Sequence, residues 1–239
     1  MSVYGINSIK DLLCDNTYPG RGIIVGITSD GIKAVSAYFI MGRSENSRNR
    51  VFVEKDGEVT IYPYDASKVK DPSLIIYSPV RKYKNSLIVT NGDQTDTVYE
   101  FLEKGSTFEE ALDTRCFEPD APNLTPRISA LLGFGGEGFT YKLNILKSAD
   151  ESGSACNRYT FAYTPVKGLG HFIHTYNHDG DPIPTFTGEP ERVGVSDSID
   201  ELTDIIWNSL NETNKVSLYV RYDNLRDGTF ESRLINKNK

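Results

Sequence analysis

The stretch "RGIIVGITSDGIKAVSAYFIMG" (residues 21–42) decides the fold. Two apolar runs, rich in β-branched and aromatic residues, flank Asp30 and Gly31. Glycine tolerates the positive φ that a tight turn requires, so an Asp-Gly pair between two such runs predicts a β-hairpin. We therefore expect two paired antiparallel strands to open the core of the protein.

The same strand signals recur before and after a central helical stretch. "RVFVEKDG" and "EVTIYPY" are joined through a second Asp-Gly pair, and "SLIIYSPVRKY" and "NSLIVTNG" follow. Later strand candidates are "GFTYKLNILKS", "NRYTFAYTPVKGLGHFIHTYN" and "VSLYVRYDN". Alternating or continuous apolar runs bounded by turn residues are typical of strands.

Helical patterns occupy the middle of the chain and one late segment. "TDTVYEFLEK" (95–104) has apolar residues at helical spacing, and Gly105 provides a stop. "TFEEALDTRCF" begins with a capping box of Thr107 and Glu110. "TPRISALLGF" (125–134) predicts a third short helix with Pro126 in its first turn. "DSIDELTDIIWNSL" is the clearest amphipathic helix.

This order of elements predicts the fold class. Strands, then helices, then strands and a late helix favour antiparallel sheets covered by helices, and not the regular βαβ alternation of a doubly wound fold. We expect an α+β fold in a single domain, residues 1–239, since 239 residues with 38% hydrophobic content can bury a full core. The final "NKNK" is expected to be a solvated tail.

Composition excludes several classes of function. The net charge of −7 and pI of about 5.1 argue against general nucleic-acid or anionic-membrane binding, so any phosphate site must be a local pocket. Three widely spaced cysteines without a CxxC pair suggest neither a disulfide framework nor a zinc site, and we expect buried free thiols. With no apolar span or signal pattern in the sequence, we expect a cytoplasmic protein.

"MGRSENSRNR" (41–50) concentrates three arginines directly after the hairpin. Arg43, Arg48 and Arg50 lie where a strand end can direct several guanidinium groups at one anion, which arginine binds in a bidentate manner. The alternative is a solvated basic loop without function.

"TNGDQTDT" (90–97) follows a strand and precedes a helix. The N–H groups at a helix N-terminus collect anions, which makes Asn91, Gly92 and Thr95 candidate ligand contacts. Asp96 is either a helix cap or a ligand to ribose hydroxyls. The alternative is a capped helix alone, and the segment lacks the lysine of a P-loop.

"CFEPDAPNLTPR" (116–127) presents Glu118, Thr125 and Arg127 in a proline-rich loop. A loop carboxylate acts as a general acid or base if burial raises its pKa, and otherwise it is an exposed loop acid. His171 and His174 are three residues apart, but their surroundings predict a strand, on which they face opposite sides, so no metal site is expected.

Together, "YPGRGIIVGITSDG", "GRSENSR", "DPSLIIYSPVR", "TNGDQTDT", "FEPD" and "NLTPRISA" resemble the archaeal-type IMP cyclohydrolase family from about Tyr18 to about Ala130. That family closes 5-formamidoimidazole-4-carboxamide ribotide to IMP with loss of water, the last step of purine biosynthesis. The resemblance implies a four-layer αββα architecture like that of N-terminal-nucleophile hydrolases and a small purine-nucleotide substrate. It implies no metal or redox cofactor and leaves a homo-oligomer open.

The resemblance also assigns the site residues. It places the catalytic groups on Arg48, Tyr77 and Glu118, with Arg50 as the alternative to Arg48. In this hypothesis the arginine stabilises the formyl oxygen, Glu118 takes the nitrogen proton and Tyr77 positions the formyl group. The implied substrate contacts are Arg21, Arg43, Asn91, Gly92, Thr95, Asp96, Thr125 and Arg127.

Two other functions stay open at the level of sequence. A nucleotide-binding protein without catalysis would keep the phosphate contacts. An amidohydrolase of the N-terminal-nucleophile type would use Ser2 after removal of Met1, but the first convincing strand begins near Arg21, which places Ser2 poorly for that role.

Overall fold

The computed structural model describes residues 4–69, 76–135 and 138–238. A short 3₁₀ helix, Ala66–Lys68, lies between the fourth and the fifth strand. The elements are, in order, α1 (Ile9–Asp15), β1 (Arg21–Ile27), β2 (Lys33–Met41), α2 (Glu45–Arg48), β3 (Val51–Lys55), β4 (Glu58–Tyr62), β5 (Val80–Tyr83), β6 (Ser86–Thr90), α3 (Gln94–Glu103), α4 (Phe108–Asp113), β7 (Arg127–Gly135), β8 (Gly138–Ser148), β9 (Cys156–Tyr163), β10 (Leu169–His174), β11 (Glu191–Gly194), α5 (Ile199–Ser209), β12 (Lys215–Asn224) and β13 (Phe230–Asn236).

The strands form two antiparallel sheets. The first sheet has the order β11-β10-β1-β2-β12-β13, and the second has the order β3-β4-β5-β6-β7-β8-β9. Within the second sheet every strand pairs with its neighbour in sequence, although α3 and α4 lie between β6 and β7. The α+β class predicted from the order of elements is confirmed.

The hairpin of β1 and β2 is confirmed as the centre of the first sheet. Arg21 pairs with Ile40 and Ile27 with Ala34, and Gly31 in the turn has a φ of +76°. Both faces of β1 are buried, because alternate side chains enter different cores. Ile23 packs against the second sheet, whereas Ile24 packs against the helices of its own sheet.

Three hydrophobic clusters lie between the layers of sheets and helices. The largest lies between the two sheets and contains residues of both. A second joins α1 and α5 to the outer face of the first sheet, and a third joins α3 and α4 to the outer face of the second sheet. Helices α1, α3, α4 and α5 thus lie outside a pair of stacked sheets. No described helix is long and apolar enough to cross a membrane.

The predicted helix over residues 125–134 is wrong, because this segment forms β7. Ile128, Ala130 and Leu132 face the core between the sheets, while Leu131 faces the helical layer. A strand covered on both faces has a nearly continuous apolar sequence, and periodicity alone does not separate it from a short helix.

The predicted solvated tail is also wrong over the residues described. Asn236 ends β13. Its side chain accepts a hydrogen bond from the N–H of Phe52 and donates one to the carbonyl of Phe52. Asn238 donates a hydrogen bond to the carbonyl of Arg48. Sequence patterns also missed α1, β11 and β13, while the strand predicted at residues 73–83 is described only in part, with β5 beginning at Val80.

The cysteines are free thiols, but the expectation that all are buried is wrong. Cys14 and Cys116 are exposed and Cys156 is half-buried. The histidines of β10 do face opposite sides of the strand. His171 stacks on Tyr163 of the second sheet, whereas His174 contacts Phe172 and Phe186.

We predict that His174 makes the protein less stable in acid. Its side chain is 7% exposed, and burial lowers the pKa of His174 to about 4. The unfolded chain binds this proton at pH near 6.5, so the free energy of unfolding falls between pH 6.5 and 4, by roughly 3 kcal/mol in total. Urea unfolding at pH 7 and pH 4 measures the difference.

Burial lowers the pKa of His171 to about 4 as well, so a His174→Gln variant should lose about half of the pH dependence that the two buried histidines cause, while His178→Gln, which removes an exposed histidine, should keep it. Equal pH dependence in wild type and His174→Gln would contradict the prediction.

Candidate active site

The site is built on the first residue of β1. Arg21 shares a strand face with Ile23 and Val25, so its side chain enters the space between the sheets at the end where β1 begins. Its Nε is buried and has no hydrogen-bond partner in the described part of the chain. Burial by itself lowers the pKa of Arg21, but the charge of Glu118, with smaller effects from nearby tyrosines, raises the pKa overall.

A second arginine enters the same space from the other sheet. Arg50 directly precedes β3, and its Nε is likewise buried without a described partner. Burial and then the charge of Arg21 lower the pKa of Arg50. Neither arginine forms an ion pair within 4.0 Å among the described residues. Two neighbouring guanidinium groups without a bonded acid make a site for an anion.

Two tyrosines lie beside the arginines. The hydroxyl of Tyr77 donates to the carbonyl of Asn91 at 2.8 Å and lies 3.3 Å from the hydroxyl of Tyr38. Burial raises the pKa of Tyr77, although the charges of Arg50 and Arg21 oppose the shift. Both phenols are therefore neutral hydrogen-bond donors at physiological pH.

Glu118 is the acid that faces this cluster. Its charge acts on Arg21, on Arg50 and on Tyr77. The loop that carries it is tied in place, because the N–H of Glu118 donates to the carbonyl of Thr125 at 2.9 Å. The Thr125 hydroxyl in turn bonds the carboxylate of Asp120 and lies 2.6 Å from the hydroxyl of Tyr176.

Side chains of the segment 90–97 hold the backbone beside the site in place. The Asn91 amide donates to the carbonyl of Pro126 at 2.9 Å, and its Oδ1 accepts from Ile128 N–H at 2.9 Å and from Gln94 at 3.0 Å. Thr95 is buried and bonds the carbonyl of Gly92 at 3.0 Å. These side chains hold the turn from β6 to α3.

Two predicted contacts are engaged in ion pairs on the surface of α3. Arg127 lies 2.7 Å from Asp93 and donates to Gln94 at 2.7 Å, leaving a buried Nε without a described partner. Asp96 pairs with Arg81 at 2.6 Å and is half exposed. Of these two residues, Arg127 is the one that still has a hydrogen-bond donor, its Nε, without a described partner.

Arg43 lies at the exposed rim. It pairs with Asp179 at 2.8 Å, and its guanidinium lies over the ring of Tyr18 at 5.4 Å. Tyr18 stacks on Tyr176 at 5.8 Å, and Tyr176 is one of the tyrosines whose hydroxyl acts on Arg21. A wall of two aromatic rings thus connects the rim to the buried arginine.

Arg48 makes different contacts from Arg50. Its Nε donates to the carbonyl of Gly42 at 2.8 Å and its Nη2 to Asn214 at 3.2 Å. The side chain lines a separate cavity of about 340 Å³ with Glu212, Lys215 and Lys237. Of the two alternatives in "SENSRNR", Arg50 is therefore the one that meets Tyr77 and Glu118.

Sequence reasoning did not single out Tyr38 or Tyr176. Tyr38 could have been found from the alternation of β2, since it faces the second sheet together with Ile40. No comparable signal marks Tyr176, which follows β10 and reaches the site only through tertiary packing.

Comparison with known proteins identifies the family of the chain. A family model described as IMP cyclohydrolase-like protein matches residues 18–228, well beyond the motifs that end near Ala130. The chain belongs to this family.

Individual relatives carry the name IMP cyclohydrolase. That of Methanopyrus kandleri is 29% identical over 184 residues, which cover 71% of this chain and 89% of the relative. That of Methanococcus aeolicus is 29% identical over 164 residues, covering 66% and 74%. That of Methanocaldococcus jannaschii is 32% identical over 117 residues, covering 48% and 56%.

We predict that Asn91 is needed for stability. Replacing this buried side chain by alanine removes three hydrogen bonds and leaves buried backbone groups unpaired, so Asn91→Ala should cost roughly 2–4 kcal/mol of unfolding free energy, measured by urea titration.

Asp96→Ala is the matched control from the same turn. Its exposed ion pair should contribute less than about 1 kcal/mol. A larger loss for Asp96→Ala than for Asn91→Ala would refute the structural role given to Asn91.

Proposed function

We propose that this protein is an IMP cyclohydrolase, which closes 5-formamidoimidazole-4-carboxamide ribotide to IMP with loss of water. The observation that carries the proposal is the meeting of Arg21, Arg50, Tyr77 and Glu118 between the sheets of a chain that belongs to this family. We further infer a single domain with an N-terminal-nucleophile-hydrolase-like fold, acting in the cytoplasm. The helices outside both sheets and the core shared by the sheets support this inference.

The reaction needs one negative charge stabilised and protons moved. The carboxamide nitrogen attacks the formyl carbon, a C–N bond forms, and the formyl oxygen becomes an oxyanion as the C=O bond opens. The carboxamide nitrogen loses a proton and the oxygen takes one up to become a hydroxyl. Loss of the proton of the former formamide nitrogen and a second protonation of the oxygen then release water as the new C=N bond forms. Because both reacting groups belong to one substrate, holding them in the reactive conformation lowers the barrier further.

In our proposal the arginine at the reacting oxygen is Arg50. A preorganised guanidinium stabilises a developing oxyanion, and a single such donor is worth about 3–4 kcal/mol. Glu118 lies within the electrostatic range of both arginines and takes the nitrogen proton. Tyr77 is a neutral donor whose single hydroxyl proton is held by the Asn91 carbonyl, and it supplies a proton toward the departing oxygen once that hydrogen bond is released.

We assign the remaining predicted contacts according to their depth in the site. Arg43 at the rim takes the 5′-phosphate by exchanging the carboxylate of Asp179 for it, and Arg21 lies deeper along the same wall. We assign Asn91 and Thr95 to the shape of the pocket, because their side chains are already bonded. Gly92, Thr125 and Arg127 remain proposed neighbours of the ribose or base, and Asp96 is proposed to be structural.

A comparison of Arg50→Ala with Arg48→Ala tests the choice of arginine. We expect Arg50→Ala to lower kcat/KM for ring closure about 10²-fold to 10³-fold, and Arg48→Ala to stay within about threefold of wild type. Formation of IMP from the formamide substrate is followed by ultraviolet absorbance and confirmed by mass spectrometry.

The same assay separates the alternatives. A large loss in Arg48→Ala with wild-type rates in Arg50→Ala would return the role to Arg48. A purified wild-type protein that binds IMP but forms none from the substrate would be a binding protein, which would refute the proposal.

We predict that Glu118→Gln lowers kcat by about 10² to 10⁴ with a small change in KM, because the amide cannot accept the proton. Glu100→Gln, on the exposed side of α3, should behave as wild type. A kcat for Glu118→Gln within about threefold of wild type would assign the base to another residue.

A further inference from the structure

A second cavity opens between the sheets at the other end of the sandwich. β1 runs from Arg21 to Ile27, and Ile27 pairs with Ala34, which pairs with Asp223 in the cavity wall. Seven extended residues, roughly 20 Å, therefore separate it from the arginine cluster. We call it the distal cavity; its volume is about 580 Å³, and it is lined by Lys82, Lys84, Asn85, Ser86, Leu87, Phe134, Gly135, Gly138, Phe139, Arg221, Asp223, Asn224, Leu225, Gly228 and Phe230.

Aromatic rings form part of its wall. Phe134 and Phe139 stack with their centroids 5.8 Å apart. The ring of Phe230 is 38% exposed and has Arg221 at 3.8 Å and Lys82 at 4.4 Å from its centroid. A ligand-sized cavity with an exposed ring beside cations suits a molecule that is itself flat and negatively charged.

The distal cavity carries more positive than negative charge. Arg221 is neutralised by Asp223 at 2.5 Å and donates to the carbonyl of Gly57 at 2.9 Å. Lys82 donates to the carbonyl of Asp56 at 2.7 Å and forms no ion pair within 4.0 Å among the described residues. The ammonium of Lys84 lies instead 4.9 Å from the ring of Tyr83, and the nearby charge of Glu103 in α3 acts on it. Among the described residues of the lining, Lys82 is therefore the cation without a paired acid, in a chain whose net charge is −7.

The cations are held in place by close packing. A Cβ on Gly57 would lie 2.5 Å from Arg221, 2.6 Å from Phe230 and 2.9 Å from Lys82, so only glycine lets these three groups converge. On the opposite side, a Cβ on Gly138 or Gly228 would meet nothing within 4 Å. The charged wall is thus crowded, while the mouth of the cavity is open.

We propose that the distal cavity is a second binding site, for a planar aromatic anion up to the size of a mononucleotide. Its volume lies within the range of roughly 300–1,000 Å³ of small-molecule sites. The rings of Phe134, Phe139 and Phe230 supply the apolar surface, and Lys82 supplies the charge that selects an anion. The site is independent of the proposed cyclisation, since no residue is shared with it.

The test uses 8-anilinonaphthalene-1-sulfonate, an aromatic anion whose fluorescence rises on binding, with the full chain. We expect saturable binding of one probe per chain and at least tenfold weaker binding to Lys82→Met. Lys10→Met, which removes an exposed lysine of α1, should bind as wild type. N-phenyl-1-naphthylamine, which lacks the sulfonate, should bind at least tenfold more weakly than the anion.

A second variant tests the location by filling the cavity. Leu225 lines it and is half-buried, so Leu225→Trp should abolish saturable probe binding without loss of IMP formation. Thermal unfolding midpoints near wild type would show that both variants are folded. Unchanged affinity in the lysine variant, unchanged affinity in Leu225→Trp, or uptake of many probes per chain would each overturn the proposal.

Discussion

The structure depends on the burial of two neighbouring positive charges between its sheets. Arg21 and Arg50 come from different sheets, and each has a buried Nε without a described partner. Isolated buried charge is expensive, and like charges repel, so this arrangement is tolerated only with a balancing negative charge nearby. Glu118 supplies part of it, and an anionic substrate would supply the rest.

The surrounding elements keep that balance in place. The loop of Glu118 is anchored through Thr125 to Asp120 and Tyr176, and the Tyr77 hydroxyl is fixed by the Asn91 carbonyl. Because the phenols remain protonated, they add donors without adding charge. Positioning of charged groups by a rigid scaffold is the condition under which they stabilise a transition state without reorganising.

The two ends of the sandwich differ in their side chains. One end holds the arginine cluster, reached past the ring wall below Arg43, and the other holds the distal cavity with Lys82. Apolar side chains fill the space between the centres of the strands, whereas strand ends and turns leave room at both ends. The stacked sheets therefore carry a proposed site at each end of one core.

Local sequence signals predicted much of the fold. Asp-Gly turns identified two hairpins, and the capping box of Thr107 and Glu110 began α4. Where both faces of a strand are covered, as in β7, the apolar pattern was ambiguous and the predicted helix was wrong. The four-residue strand β11 was missed because its pairing with β10, and not local pattern, makes it a strand. The hairpin of β12 and β13 was missed although its turn contains a third Asp-Gly pair, Asp227 and Gly228.

By itself, the sequence determined the α+β class, the hairpins and, through shared motifs, the loops from which Tyr77 and Glu118 come. Only the tertiary structure decided which arginine of "SENSRNR" joins them. Helix α2, capped by Ser44 and Ser47, ends at Arg48 and directs that side chain to Gly42, while Arg50 at the start of β3 enters the interior. These positions are only two apart in the sequence. The direction of each side chain depends on how the second sheet packs on the first, which no local pattern encodes.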